Sequence, residues 1–288
     1  MILLQPHEIE KLQRRKRRAA KRMKPIRSPK AAERDMQRRM RKLWADVLKP
    51  VTDRIVEALR RGARPGEVAD LIEGAMRQAE VYYGLAVDEV VYHWQMLVDR
   101  GVRASIQRGL NETLGIDISS VLDTPHIASA LDLAGMDASR LIKTIPGQFL
   151  DEVARVVAAN FRGDPIPEGR TLQAHIQHLG KLSERRARVI ARDQTSKLTG
   201  ALNRVRQESI GVTEYIWRTV KDNRVVGNPL GIYPKGNDKH GDHHKRNGHR
   251  YSWAEAPHDG HPGSAIQCRC WAEPVLNPKK IMAFTREG

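Results

Sequence analysis

Two cysteines separated by one residue, Cys268 and Cys270, close a histidine-rich stretch, "DHHKRNGHRYSWAEAPHDGHPGSAIQCRCW", that also carries His243, His244, His249, His258 and His261. Thiols and imidazoles together are the donor set that zinc takes in tetrahedral sites. A disulfide between Cys268 and Cys270 would be badly strained, so the pair reads as reduced thiols or thiolate ligands. The C-x-C spacing is less typical of structural zinc than C-x2-C, and Arg269 sets a positive charge between the two sulfurs. One reading is therefore a structural zinc on His243, Cys268 and Cys270. The other has the cysteines packed as small hydrophobes in a strand "QCRCWAEPV", with Cys268, Cys270 and Ala272 on one face and the histidines in solvated loop.

The same stretch invites comparison with nuclease chemistry. An HNH-type site needs a His base, an Asn about a hairpin later and a second His to hold a divalent ion at the scissile phosphate. Asn247 lies only three residues from His244, and the next asparagine is Asn277, so the hairpin has no room. The zinc-deaminase pattern is also missing, since no H-x-E accompanies a P-C-x-x-C. Neither a phosphate-binding G-x4-G-K-[ST] nor a G-x-S-x-G is found. The sequence gives no catalytic residue, and the expectation is that the protein is not an enzyme.

Charge supplies a second signal. Of the net +16, residues 11–42 account for +14, with sixteen Lys and Arg against two acids. Arg14, Arg15, Lys16, Arg17, Arg18, Lys21, Arg22 and Lys24 stand in a run with too few apolar residues for a core, closed by Pro25 and Pro29. A cluster of this kind expects a polyanion: DNA, RNA or an acidic protein surface. No apolar run approaches the length of a membrane span, and "MILL" gives way at once to Gln5, Pro6 and His7 without a signal-peptide core. A soluble protein made in a cytosol, with no membrane partner, is expected.

The elements that must position these residues are mostly helical. Met36, Met40, Leu43, Val47, Val51, Ile55 and Leu59 step by three and four, with Pro50 set to kink or restart the helix. Further helices are expected at 66–82, 86–110 and 125–133. A Pro146-Gly147 break and a helix ending at Gly163 come next, then a short helix at 171–179. Ser183 is set to open a helix that runs to Gly211. On it Arg192, Thr195, Ser196, Thr199 and Asn203 share one face, a polar stripe that is either solvated or packed against a polar partner. After Gly211 the period becomes two, so "GVTEYIWRTV" is a strand and "KDNRVV" a turn entering another. The long loop that follows calls for an organiser. The fold class is α+β: a basic arm (1–35), a helical domain (36–180), a C-terminal domain of a helix with a small antiparallel sheet and long loops (181–277), and a tail (278–288).

At this level of detail the last third resembles the phage Mu F-type minor head protein domain, shared by head morphogenesis proteins of tailed phages. The family helix reads I-A-R-T-E with a later Asn; Ile190, Ala191, Arg192, Asp193 and Asn203 match, and Gln194 departs. Its strand Trp and D-x-R correspond to Trp217, Asp222 and Arg224, while Val226 departs from a second Arg. Its H-x-x-x-x-G fits His243 and Gly248, with Asn247 where Asp is common, and its P-x-N-C-R-C ending fits Pro262, Cys268, Arg269 and Cys270, with Gln267 in place of Asn. Residues 227–242 insert into this pattern. The resemblance implies a minor capsid protein of the virion, taken up during procapsid assembly near the portal vertex. It implies as partners the portal protein, a major capsid or scaffolding protein and packaged double-stranded DNA. The protein would reside in the host cytoplasm first and inside the capsid afterwards. The basic arm would supply sequence-independent phosphate contacts. A metal-dependent HNH-like nuclease and a general nucleic-acid-binding protein stand as alternatives. Within the resemblance, Asp222 and Arg224 are expected to tie the loop to the Arg192–Asn203 face by charge-assisted hydrogen bonds.

Overall fold

The computed structural model describes residues 23–114, 124–236 and 241–277. Arg14, Arg15, Lys16, Arg17, Arg18, Lys21 and Arg22, with the 278–288 tail, lie outside them. The fold is α+β. Helices α1 (Lys30–Leu43), α2 (Lys49–Arg60), α3 (Pro65–Leu114), α4 (Pro125–Phe161) and α5 (Leu172–Glu208) precede a three-stranded antiparallel sheet of β1 (Glu214–Arg218), β2 (Arg250–Ser252) and β3 (Trp271–Pro274), ordered β2-β1-β3. A four-residue helix, α6 (His243–Arg246), lies in the long connection between β1 and β2.

The helices are longer than their punctuation suggests. Pro50 restarts α2 rather than breaking the chain: a π-helical turn, Trp44–Leu48, ends with the Lys49 N–H reaching back to Trp44 O, and Pro50 falls where a helix leaves its donors unpaired. The two helices expected over 66–82 and 86–110 are one. The buried positions Val68, Ile72, Ala75, Ala79, Tyr83, Val87, Val91 and Trp94 keep their phase across Gly84. Pro146 likewise sits inside α4, with Ile142, Ile145, Phe149 and Leu150 buried around it. That burial outweighs one missing backbone hydrogen bond. Ser183 does not open a helix. Its hydroxyl donates to Leu179 O at 3.2 Å within α5, and the cap is Thr171, whose Oγ1 accepts from Ala174 N.

By chain contacts the molecule divides into two compact units, residues 1–30, 95–134 and 193–288 in one, and 31–94 and 135–192 in the other. In the second unit Trp44 packs edge-on against Phe149 with centroids 4.6 Å apart, and Arg192 pairs with Glu33 at 3.6 Å. The first unit holds the sheet and the histidine–cysteine stretch. Within it, the C-terminal part of α3 pairs Asp99 with Arg206 of α5 at 2.5 Å, and the arginine side chain is wholly buried with Nε and Nη1 lacking partners.

The second strand expected from "KDNRVV" does not form. Asp222 instead caps its own turn, accepting from the Arg224 N–H at 3.0 Å, and Val225 N bonds Asp222 O. A local aspartate turn competes successfully with strand pairing. Residues Arg250–Ser252 supply the partner, pairing Tyr215 with Tyr251. On its other side β1 pairs Trp217 with Ala272.

The half-satisfied arginine makes a test of the first unit. Removing Asp99 strands a buried charge, so Asp99→Ala should cost about 3–5 kcal/mol, whereas the apolar Arg206→Met with Asp99→Ala should recover most of it. Urea unfolding of the single and double variants measures both; a single Asp99→Ala variant as stable as the wild type contradicts the pairing.

Candidate metal centre

The polar stripe of α5 is a packed contact, not a solvated face. Thr195, Ser196, Thr199 and Asn203 are all buried. The Ser196 hydroxyl donates to Cys268 O, and the Asn203 amide donates to Ala272 O at 3.1 Å. Gln207, one turn on, adds a second donor to Ala272 O at 3.0 Å and accepts from the Trp253 indole at 3.2 Å. Asp193, at the start of this stretch, accepts from the Gln267 N–H at 2.7 Å, where φ is +54° and the chain bends before its strand. The closing strand therefore begins at Trp271, later than the alternation of "QCRCWAEPV" suggests, although Cys268, Cys270 and Ala272 do share a buried side. The helix and loop approach closely: a Cβ placed on Gly200 would lie 2.7 Å from Pro262 O.

Asp222 and Arg224 divide differently from expectation. Arg269 forks onto Asp222 at 2.5 and 2.8 Å, and this bond holds the carboxyl below the usual carboxylate range. Arg224 is exposed and contributes its backbone N–H. The tie therefore joins the β1 turn to the closing segment, not to the helix face. Gly248, at φ +95°, donates its N–H to Trp217 O at 2.8 Å, and the Asn247 side chain accepts from Thr219 N.

Beneath the sheet lies the cluster. His243, on α6, is brought inward because Asp242 caps the helix through Lys245 N and His244 N bonds Val226 O. Its Nδ1 faces Cys268 Sγ at 3.6 Å and Cys270 Sγ at 3.5 Å, while its Nε2 meets Asp259 Oδ2 at 2.8 Å. Asp259 also receives Arg246 at 2.5 Å, and Arg246 stacks over the Trp217 ring, 4.9 Å from its centre. The three donor atoms lie within 4.8 Å of one another. His244 and His258 are not part of this group, and His261 bonds the Tyr215 hydroxyl at 3.0 Å.

The electrostatics follow from these contacts. A hydrogen bond from Cys270, with His243 beside it, holds the Cys268 thiol well below its usual range; that same bond, with burial, pushes Cys270 up. Burial opposes a charged His243, but its bonds to Cys268 and Asp259 outweigh it and raise its pKa. Chemically, the cluster can do two things. One sulfur, His243 and Asp259 form a nucleophile, base and orienting carboxylate in order. Both cysteines are buried, however, and His243 addresses the two sulfurs at nearly equal distance. The other option is metal ligation. In a tetrahedral zinc site with Zn–S about 2.3 Å and Zn–N about 2.0–2.1 Å, neighbouring N and S atoms stand about 3.5–3.6 Å apart. Both measured N···S distances match that edge, and Nε2 keeps the carboxylate partner that fixes a ligating imidazole. Among the described residues the buried Trp217 indole N–H has no hydrogen-bond partner, and its place beside Cys270 opposes, without reversing, the upward push on that thiol.

Asp259, Arg246, Gln207 and Trp253 were not singled out by sequence. Asp259 sits in "HDGH" and Gln207 continues the α5 polar stripe by one turn, so both had a signal; the other two had none.

No family model matches the chain, and no solved structure matches it. The chain is similar to an uncharacterized protein of Haemophilus influenzae, 35% identical over 177 residues; the match takes in 60% of this chain and 36% of that protein's length.

Two substitutions test the geometry. Gly200→Ala must push the helix off the Pro262 loop and should cost about 1–3 kcal/mol, read by urea unfolding. Asp259→Ala leaves Arg246 and His243 unpaired and buried, at about 3–5 kcal/mol. Burial alone would raise Asp259, but bonds from Arg246 and His243 hold it below 3.8. Its stabilisation is therefore complete above about pH 4 and is lost as pH falls through the depressed folded value. The Asp259→Asn variant should show a flatter acid-side stability profile than the wild type; an unchanged profile contradicts the assignment.

Proposed function

We propose that the chain is a minor head protein of a tailed bacteriophage that acts in procapsid assembly near the portal vertex, with a structural zinc on His243, Cys268 and Cys270. The observation that carries the reading is where the motif residues direct their polar groups. Asp193, Asn203, Asp222, His243 and Arg269 each bond to backbone or side chains of the same unit. Residues so used fit a framework role better than turnover, and the protein is not assigned as an enzyme. The zinc would tie α6 to the closing segment, contributing folding free energy without a reaction.

The arm supports a second, compatible part of the proposal. Its twelve cations in residues 1–35 would meet packaged double-stranded DNA inside the capsid. Of these, Lys24 is exposed and paired with Glu112 at 2.9 Å, a surface pair that a phosphate can displace. The partners would be the portal protein and a major capsid or scaffolding protein, met first in the host cytoplasm. A general nucleic-acid-binding protein is the second reading, favoured by the same charge. A nuclease of HNH type has less support, because Asn247 is held by Thr219 N.

Co-sedimentation of the purified chain with portal protein tests the assembly role: the chain should pellet with portals, and its absence from the pellet at every ratio would rule the reading out. Elemental analysis should return one zinc per chain, lost in Cys268→Ser and Cys270→Ser. Replacing Arg14, Arg15, Lys16, Arg17 and Arg18 with Gln should flatten the salt dependence of DNA binding, because fewer counterions are released. Metal-dependent DNA cleavage abolished by His243→Ala would point to the nuclease instead.

A further inference from the structure

A pocket of about 340 Å³ lies among residues 26–30 near the end of the arm, the polar face of α5 and the closing segment, all in the first unit. It shares Ser196, Asn203, Asp222 and Arg269 with the contacts already described and adds Ile26, Arg27 and Trp271 to them. Its floor includes Ser196 and Thr199. Their hydroxyl hydrogens are committed, Ser196 to Cys268 O and Thr199 to Thr195 O at 2.7 Å, and Ser196 also accepts from the Ser28 hydroxyl at 3.5 Å, so what each hydroxyl still offers a ligand is an acceptor lone pair. Ile26 and the half-buried indole of Trp271 line it as well, giving an apolar and aromatic wall. Arg27, Lys30 and Arg269 bring three cations against one carboxylate, Asp222, which Arg269 already occupies.

Acceptors at the floor, an aromatic plane at the side and cations at the rim describe the complement of one chemical class. A nucleobase offers a flat ring and amino hydrogens, and its phosphate offers negative charge. Stacking on a tryptophan with backbone charge met by arginine is how single-stranded nucleic acid is held without strict sequence preference. A carboxylate ligand would leave the aromatic wall and the acceptor floor without use. We propose that this pocket binds a nucleoside phosphate, the base stacked on Trp271 with its amino edge toward Ser196 and Thr199, and the phosphate on Arg27 and Arg269. The ligand comes either as a free nucleotide or as one nucleotide of a single strand. The site does not rest on the head-assembly role, and it touches the proposed metal centre only through Cys270, which lines both.

The test is titration of the full-length chain with deoxyadenosine monophosphate, deoxyadenosine and a short oligodeoxyadenylate, followed by tryptophan fluorescence. The monophosphate should quench saturably, and binding should weaken about tenfold or more for deoxyadenosine and in Arg27→Glu. The quench should vanish in Trp271→Phe, a variant whose circular dichroism should match the wild type. Tighter binding of the oligonucleotide than of the monophosphate, still lost in Trp271→Phe, assigns the site to a strand; equal binding assigns it to the free nucleotide. Absence of a saturable quench with either probe overturns the proposal. So does a quench unchanged by Trp271→Phe or Arg27→Glu, or displacement of the signal by polyglutamate but not by the monophosphate.

Discussion

Burying a polar helix face costs little only where its donors and acceptors find partners, and Ser196, Asn203 and Gln207 of α5 find theirs in the carbonyls of the closing segment, unlike the half-satisfied Arg206. Ser196, Asn203 and Gln207 donate to Cys268 O and Ala272 O. An unmade bond at any of these positions leaves a desolvated carbonyl or amide, at about 1–3 kcal/mol each. The rest of the sheet unit is arranged to keep this seam closed. Gly200 lets Pro262 approach, Asp193 fixes the bend at Gln267, and Arg269 holds the β1 turn through Asp222.

Closure of the seam also determines where the sulfurs go. With Cys268 O and Ala272 O turned to the helix, Cys268 and Cys270 join Tyr215, Trp217 and Trp253 in the core beneath the sheet. His243 reaches the same core from α6, oriented by Asp259 on its far nitrogen. The described residues of 219–236 and 241–249 bury few apolar side chains, so their placement rests on such ties: the Asp222 turn, the Asp242 cap and the His243 cluster. A metal at that cluster would join the least periodic part of the sequence to its most tightly bonded part.

Much of this was legible in the sequence, and what was not has physical causes. The α5 face was visible as a stripe because Thr195, Ser196, Thr199 and Asn203 are short polar residues at helical spacing, but spacing alone left it open between solvent and a packed partner. Donor chemistry set Cys268 and Cys270 beside five histidines, of which the structure brings only His243 to both sulfurs. Helix breaks were over-read. Gly84, Pro146 and Ser183 are local signals, and the apolar stripes running through them, each burying many side chains, outweigh a single missing bond or weak cap. The second strand was misplaced because "KDNRVV" has strand-forming valines next to an aspartate that bonds its own backbone. Asp259 and Trp253 escaped because their roles depend on a chain reversal that no periodicity encodes.

On this account residues 193–207 of α5, the closing segment and the His243 loop form one cooperative unit clamped at the sulfur–imidazole cluster. Hydrogen exchange followed residue by residue, with and without a zinc chelator, addresses it directly. Amides of 193–207, 243–249 and 267–274 should be protected to a common level and lose that protection together on chelation. Protection of the His243 loop that is untouched by the chelator, or a loop that exchanges independently of α5 and β3, would contradict it.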